Sequence, residues 1–218
     1  MLPDNISIEK MTRGVRIITG QTAKDRRALL NSLIELAEKA GFDEISLPAI
    51  EPAEIYSDKA GPEMLNQMYV FPDRKGRSLC LRPEGTATIQ LIADRYLQGR
   101  EKDVRLWYFT PCYRYERPQE GRYREFWQFG VEWLNPRDVV EARKQLLDLA
   151  RQLVALRTND FTVNDAAKRG LNYYVGDGFE IEVSSMGAQR QVCGGGIYAQ
   201  GVGFGIGFDR LALISKPS

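Results

Sequence analysis

The chain has 218 residues, 30 Lys+Arg against 29 Asp+Glu, and no histidine at all. That zero excludes every mechanism that needs an imidazole, from Ser-His-Asp and Cys-His nucleophiles to HExxH zinc sites. With 43% apolar and 27% charged residues the composition is that of a globular domain, and the net charge of +1 supplies no general field to attract a phosphate backbone.

Cys80, Cys112 and Cys193 are odd in number, far apart and without CxxC spacing, so they read as reduced thiols of a cytosolic protein. The N-terminus carries charge where a leader peptide needs an apolar run, and no stretch approaches the roughly 20 apolar residues of a membrane span.

In chain order, a stripe of Leu29, Leu30, Leu33, Ile34, Leu36 and Ala37 predicts a helix from Thr22 to Ala40, with Thr22 as cap and Gly41 ending it. Phe42 to Ile50 alternates and is broken by Pro48, as at a strand end or sheet edge. Met68 to Phe71 and Ser78 to Leu81 flank the turn Asp73-Arg74-Lys75-Gly76 and predict a hairpin. A helical pattern follows from Thr86 to Leu97.

Two aromatic-rich runs, Val104 to Glu116 and Tyr123 to Leu134, predict long antiparallel strands. Asn135 as cap and Pro136 at the first helical position predict a second long helix. The chain then looks strand-poor until Phe179 to Val183 and Gln191 to Val192. The glycines from Gly194 to Gly207 read on spacing as tight turns rather than as backbone lying close against a ligand, the other reading open to them, and precede a terminal helix from Phe208 to Ile214. The order of elements is α+β in a single domain, not a regular βαβ alternation. Gly194 to Ala199 matches G-x-G-x-x-A, but too little chain follows to build the βαβ unit that gives this fingerprint meaning.

Strand alternation places Arg114 and Glu116 on one face of the first long strand. Phe126, Gln128, Gly130 and Glu132 share one face of the second. If these faces coincide, a cation, carboxylates, an amide and an aromatic ring surround a position kept open by Gly130. Exposed cross-strand ion pairs are the simpler alternative.

Leu81-Arg82-Pro83-Glu84-Gly85-Thr86-Ala87 and the run from Tyr113 to Glu132 resemble the catalytic core of a class II aminoacyl-tRNA synthetase of the histidyl type. Arg169-Gly170-Leu171-Asn172-Tyr173-Tyr174-Val175-Gly176 resembles that family's histidine-recognition motif, and Gly205 to Leu211 its third class II motif. The resemblance implies an antiparallel sheet flanked by helices, ATP and Mg2+ as reaction partners, a homodimer, and amino-acid adenylation with transfer to tRNA or a carrier.

By motif, Arg114 and Arg210 would hold ATP together with Glu116, Arg122 and Phe126, and Arg169 would be the family's catalytic arginine. Glu84, Thr86 and Gln128 would receive the substrate α-amino group. Glu132, Tyr173, Tyr174 and Tyr198 would recognise its side chain. The resemblance also implies one catalytic domain over 1–218, without the family's insertion and anticodon-binding domains. The alternative of another class is a non-catalytic histidine-sensing subunit like that of ATP phosphoribosyltransferase.

Overall fold

The computed structural model describes residues 3, 5–6, 11–57, 59–97, 103–168, 171–176 and 178–215. In chain order the elements begin with β1 (Asn5–Ile6), β2 (Ile17–Ile18), α1 (Gly20–Lys39), β3 (Asp43–Glu44), β4 (Ile50–Pro52), α2 (Glu54–Ser57) and α3 (Pro62–Gln67). Next come β5 (Tyr69–Pro72), β6 (Ser78–Leu81), α4 (Thr86–Ile92), a π-helical turn (Ala93–Leu97), β7 (Val104–Tyr113), β8 (Glu125–Leu134) and α5 (Val139–Ala155). The rest are β9 (Thr162–Ala167), β10 (Gly178–Glu182), a 3-10 segment (Ser184–Gln189), β11 (Gln191–Tyr198), β12 (Gly201–Gly207) and α6 (Phe208–Leu213).

A seven-stranded sheet in the order β3-β7-β8-β12-β11-β10-β9 forms the centre, antiparallel throughout except for the β3–β7 pair. The predicted pair of long strands is β7 and β8, in register from Val104↔Leu134 to Tyr113↔Glu125. Because side chains alternate, β8 sends Phe129, Val131 and Trp133 to one face and Gln128, Gly130 and Glu132 to the other.

The first of these faces is the core. Leu29, Leu33 and Ala37 of α1 and Leu146, Ala150, Leu153 and Val154 of α5 pack there against Trp107, Phe129, Val131, Phe204 and Ile206. Each fully buried Leu or Phe contributes about 1.5–3 kcal/mol, so this layer is the main source of stability. Among the described residues no helix is long and apolar enough to cross a membrane.

The helix α1 starts earlier than its apolar stripe, with Thr19 rather than Thr22 at the cap position. Gly41 ends it as expected: its φ is +83°, its N–H donates to Glu38 at 2.9 Å, and Phe42 N–H donates to Ala37 at 3.1 Å, the pairing of a Schellman motif. The predicted hairpin is β5 and β6, closed by Asp73, whose carboxylate accepts the N–H groups of Lys75 (2.8 Å) and Arg77 (2.9 Å). β4 pairs with β6 to complete a small second sheet.

Three further expectations are corrected. Asn135 does not cap α5; it turns the chain with φ +46°, and Asp138 is the cap, its carboxylate accepting Val140 and Glu141 N–H at 3.0 Å each. The region after α5 is not strand-poor, because β9 forms the sheet edge beside β10. The glycine-rich end is not a set of turns: Gly194 to Gly207 lies largely in β11 and β12, paired from Cys193↔Ile206 to Tyr198↔Gly201, with β12 at the centre of the sheet.

Candidate active site

The polar face of the sheet opens into a cavity of about 760 Å³. Part of its floor is backbone, at Gly194, Gly205 and Gly207. Gly130, Gly205 and Gly194 stand side by side on β8, β12 and β11, and Gly203 shares that face of β12, but Gly130 is covered by Tyr108 and Gly203 by Glu132, so Gly130 does not keep an open position. The neighbours occupy the space that side chains would need. A Cβ on Gly205 would meet Gln128 Nε2 at 2.1 Å, one on Gly203 would meet Glu132 Oε2 at 1.7 Å, and one on Gly130 would strike the buried Tyr108 ring at 2.0 Å.

One end of the cavity is cationic. Arg114, the first residue after β7, donates through Nε to Pro83 O at 2.9 Å and stands 5.2 Å from the Phe126 ring centre. Arg210, in α6, donates to Gly121 O, Gln191 O and Gln189 Oε1, each at 2.8 Å. Burial, together with the like charges of Arg114 and Arg122, holds the Arg210 pKa below its ordinary value. Arg122 donates to Glu116 within the loop between β7 and β8, so these two residues pair with each other here.

The other end is acidic. Glu84 follows β6 and turns its carboxylate onto the start of α4, accepting Thr86 N–H at 2.7 Å and Ala87 N–H at 2.8 Å, with Tyr173 OH at 3.3 Å. Burial raises its pKa against those bonds. Gln128 Oε1 accepts Gly85 N–H at 3.2 Å. Glu132 is fully buried, accepting Thr86 OH and Tyr198 OH at 2.7 Å each, and desolvation pushes its carboxyl up to about 8.

Beneath this end lies a second buried network. Arg82 is wholly enclosed and donates to Pro48 O, Thr110 Oγ1 and, at 2.9 Å, Pro111 O, with Glu51 at 3.8 Å. Glu51 accepts Thr88 OH at 2.8 Å and the Tyr56 hydroxyl. The segment carrying Tyr173 and Tyr174 is fastened from two sides. Leu171 bridges Ala60, while Tyr174 bridges Tyr198 and Val175 N–H donates to Ile197 O at 2.8 Å.

Of the residues singled out in the sequence, Arg114, Glu116, Arg122, Phe126, Glu84, Thr86, Gln128, Tyr173, Tyr174 and Arg210 line this one cavity. Glu132 and Tyr198 lie just behind its wall, joined through their hydrogen bond. Arg169 falls outside the described residues. Sequence reasoning missed Glu63, Met64 and Gln67 of α3, which form a further wall, and Glu180 and Glu182 of β10. The latter pair carries strand alternation that could have marked them. It also missed Asp209, whose buried carboxylate accepts Trp127 N–H at 2.6 Å and pairs with Arg26 at 2.7 Å.

A seven-stranded, mostly antiparallel sheet backed by helices, with motif residues gathered over a glycine floor, is the catalytic fold of class II aminoacyl-tRNA synthetases. The structure of S. aureus histidyl-tRNA synthetase superposes with a TM-score of 0.77 at 24% identity, covering 95% of this chain and 70% of that one. A Bacillus halodurans structure titled ATP phosphoribosyltransferase regulatory subunit/histidyl-tRNA synthetase gives 0.76 at 17% identity, covering 97% and 84%. In sequence, the histidine–tRNA ligase of Archaeoglobus fulgidus is 29% identical over 303 residues, spanning 91% of this chain and 74% of the relative. The family model described as Histidyl-tRNA synthetase matches residues 14–156, and the chain belongs to that family.

Proposed function

We propose that the chain activates an amino acid with ATP, and that the amino acid is histidine or a close analogue. The observation that carries this reading is the polarity of the cavity: three arginines at one end, where burial and the like charges of Arg114 and Arg122 hold the Arg210 pKa down, and hydrogen-bonded acidic side chains, Glu84 foremost, at the other. A polyphosphate relieves the repulsion at the first end, and an ammonium group matches the second.

In the reaction the substrate carboxylate, already ionised, attacks the α-phosphorus of ATP. A carboxyl-oxygen-to-phosphorus bond forms, the bond to the bridging oxygen breaks, and pyrophosphate leaves. No general base is required, which suits a chain without histidine. What the protein supplies is alignment of two anions and fixed positive charge on the developing phosphorane. Arg114, beside both Pro83 O and the Phe126 ring, is assigned to the α-phosphate and the carboxylate. Arg210 and Arg122 are assigned to the nucleotide's outer phosphates, and Phe126 to the adenine. Glu84, Thr86 and Gln128 are assigned to the α-amino group, with Glu132, Tyr173, Tyr174 and Tyr198 around the side chain.

Among the described residues no group of three or more acidic, Cys or His side chains is arranged to hold a metal ion. Mg2+ enters this reading as a companion of the ATP phosphates. Transfer of the acyl group to tRNA or to a carrier would follow activation. The Archaeoglobus alignment spreads 91% of this chain over 303 positions, which supports a core lacking an internal stretch that the relative carries. A homodimer is part of the same reading. The face of the small sheet bearing Ile50, Pro52, Tyr69, Phe71, Leu79 and Leu81 is apolar and partly open, with Ile50 54% exposed.

Amino-acid-dependent exchange of pyrophosphate into ATP tests the proposal. Histidine or an analogue is expected to support exchange, and Arg169→Ala to lower it by about 10²–10³. Silence with every amino acid in the folded protein would refute it. The likeness to the Bacillus halodurans structure favours a second reading, a histidine-sensing regulatory subunit. Histidine binding without ATP binding, with co-purification of a phosphoribosyltransferase, would establish that one instead.

A further inference from the structure

The two cationic elements of the cavity are far apart in sequence, and one short segment touches both. Gly14 O accepts Arg124 N–H at 2.8 Å and Glu125 N–H at 3.4 Å, at the end of the loop that carries Arg114 and Arg122. The fit is close. Gly14 has φ +84°, and a Cβ there would lie 2.9 Å from Arg124 Cγ and 3.0 Å from Pro118 Cγ. Two residues on, the Arg16 guanidinium lies 3.4 Å from the centre of the Tyr123 ring, in the same loop.

The other edge of Arg16 turns the opposite way. Its Nη2 donates to Asp209 Oδ1 at 2.5 Å, and Asp209 immediately precedes Arg210. Arg210 closes the circuit by donating to Gly121 O at the tip of the loop. Arg26 shares the Asp209 carboxylate but stacks on Phe208 instead, 4.7 Å away, so it holds α6 without an observed contact to the loop.

We propose that Arg16 is a positioning residue for the nucleotide site: through its stack on Tyr123 and its ion pair with Asp209, residues 14–16 strap the Arg114/Arg122 loop to the helix that carries Arg210. The inference rests on the ATP reading of the cavity. Arginine suits the task because its planar group stacks on one face and donates along its edge, which an ammonium cannot do together. Arg16 does not line the cavity, so its effect on ATP runs through the spacing of the arginines that do.

The test combines amide hydrogen exchange with ATP titration on the full chain. Arg16→Ala is expected to speed exchange at residues 122–125 by roughly tenfold while the amides of β8 and β12 keep their protection. It is expected to weaken ATP binding roughly tenfold and to move the amino-acid KM less. Arg16→Lys should recover part of both effects. Arg26→Ala should lower the denaturation midpoint and leave the loop amides unchanged. If Arg16→Ala does not fold, Tyr123→Leu removes the stack, keeps Asp209 paired, and must loosen the same amides. Equal loop exchange in the Arg16 and Arg26 variants, or an unchanged loop in Arg16→Ala, would overturn the proposal. A wild-type chain that binds no ATP would sink the functional reading instead, and the exchange comparison would still decide the strap.

Discussion

Glu132 is expected to contribute stability that is lost as pH rises through neutrality. Its carboxyl is enclosed, and burial moves it from 4.5 to about 8 despite the hydroxyls of Thr86 and Tyr198. In the unfolded chain the group ionises near 4.5, while in the folded chain it holds its proton until about 8. Between those values the unfolded state binds fewer protons, so each pH unit removes about 1.4 kcal/mol. The loss reaches roughly 3 kcal/mol at pH 7 and levels off near roughly 5 kcal/mol by pH 9.

Glu132→Gln isolates this effect, because the amide is a neutral stand-in for the protonated acid and titrates in neither state. Urea unfolding at a fixed protein concentration, repeated from pH 4.5 to 9, gives the two stability curves. The variant is expected to lose less stability than the wild type as pH rises, so that the curves diverge by several kcal/mol across the range. Parallel curves would refute the reasoning and show that Glu132 is already ionised in the folded protein.

Three further outcomes are expected. Arg82→Ala strips the buried Glu51 of its cation and should cost about 3–5 kcal/mol in urea unfolding, with the Arg82→Ala/Glu51→Ala pair costing less than the sum of the single changes. Gly205→Ala should fold, because the atom it meets is the movable end of Gln128, but calorimetry should find amino-acid binding weakened about tenfold or more as that amide leaves Gly85 N–H. Asp138→Ala removes the cap of α5 and should cost about 1 kcal/mol, measured as a shift in denaturation midpoint without a change in slope.

Periodicity served well where one face of an element is buried. The stripe of α1 and the alternation of β7 and β8 correspond to real core faces, and the same alternation put Phe126, Gln128, Gly130 and Glu132 on one side. It failed where burial does not dictate the side chain. β9 is an edge strand whose Thr162, Asn164, Asp165 and Ala166 are exposed, so its sequence carries little strand signal. In β12 one face has no side chains at all, and glycine normally argues against a strand.

Asn135 and Asp138 are both good caps on composition, and only the turn after β8 separates them. For the site, motif resemblance brought together residues that local pattern never would, since Glu84 and Tyr173 meet across 89 positions. The Arg16–Asp209 contact spans 193 positions, and no pattern within either segment announces it. Such contacts are set by how the sheet closes, which is a property of the whole chain.

The glycine face of β12 also sets where this site can change. A saturation scan of residues 201–206 should show tolerance with a period of two. At Gly203 and Gly205 even a methyl group collides with Glu132 or Gln128, whereas Val202, Phe204 and Ile206 face the core and admit apolar exchanges of similar volume. On the proposed reading, a change of amino acid would therefore have to be written in the walls, in Tyr173 and Tyr174 and in Glu63, Met64 and Gln67 of α3. At Gly203 and Gly205 the constraint comes from the side chains of Glu132 and Gln128 folded over the backbone.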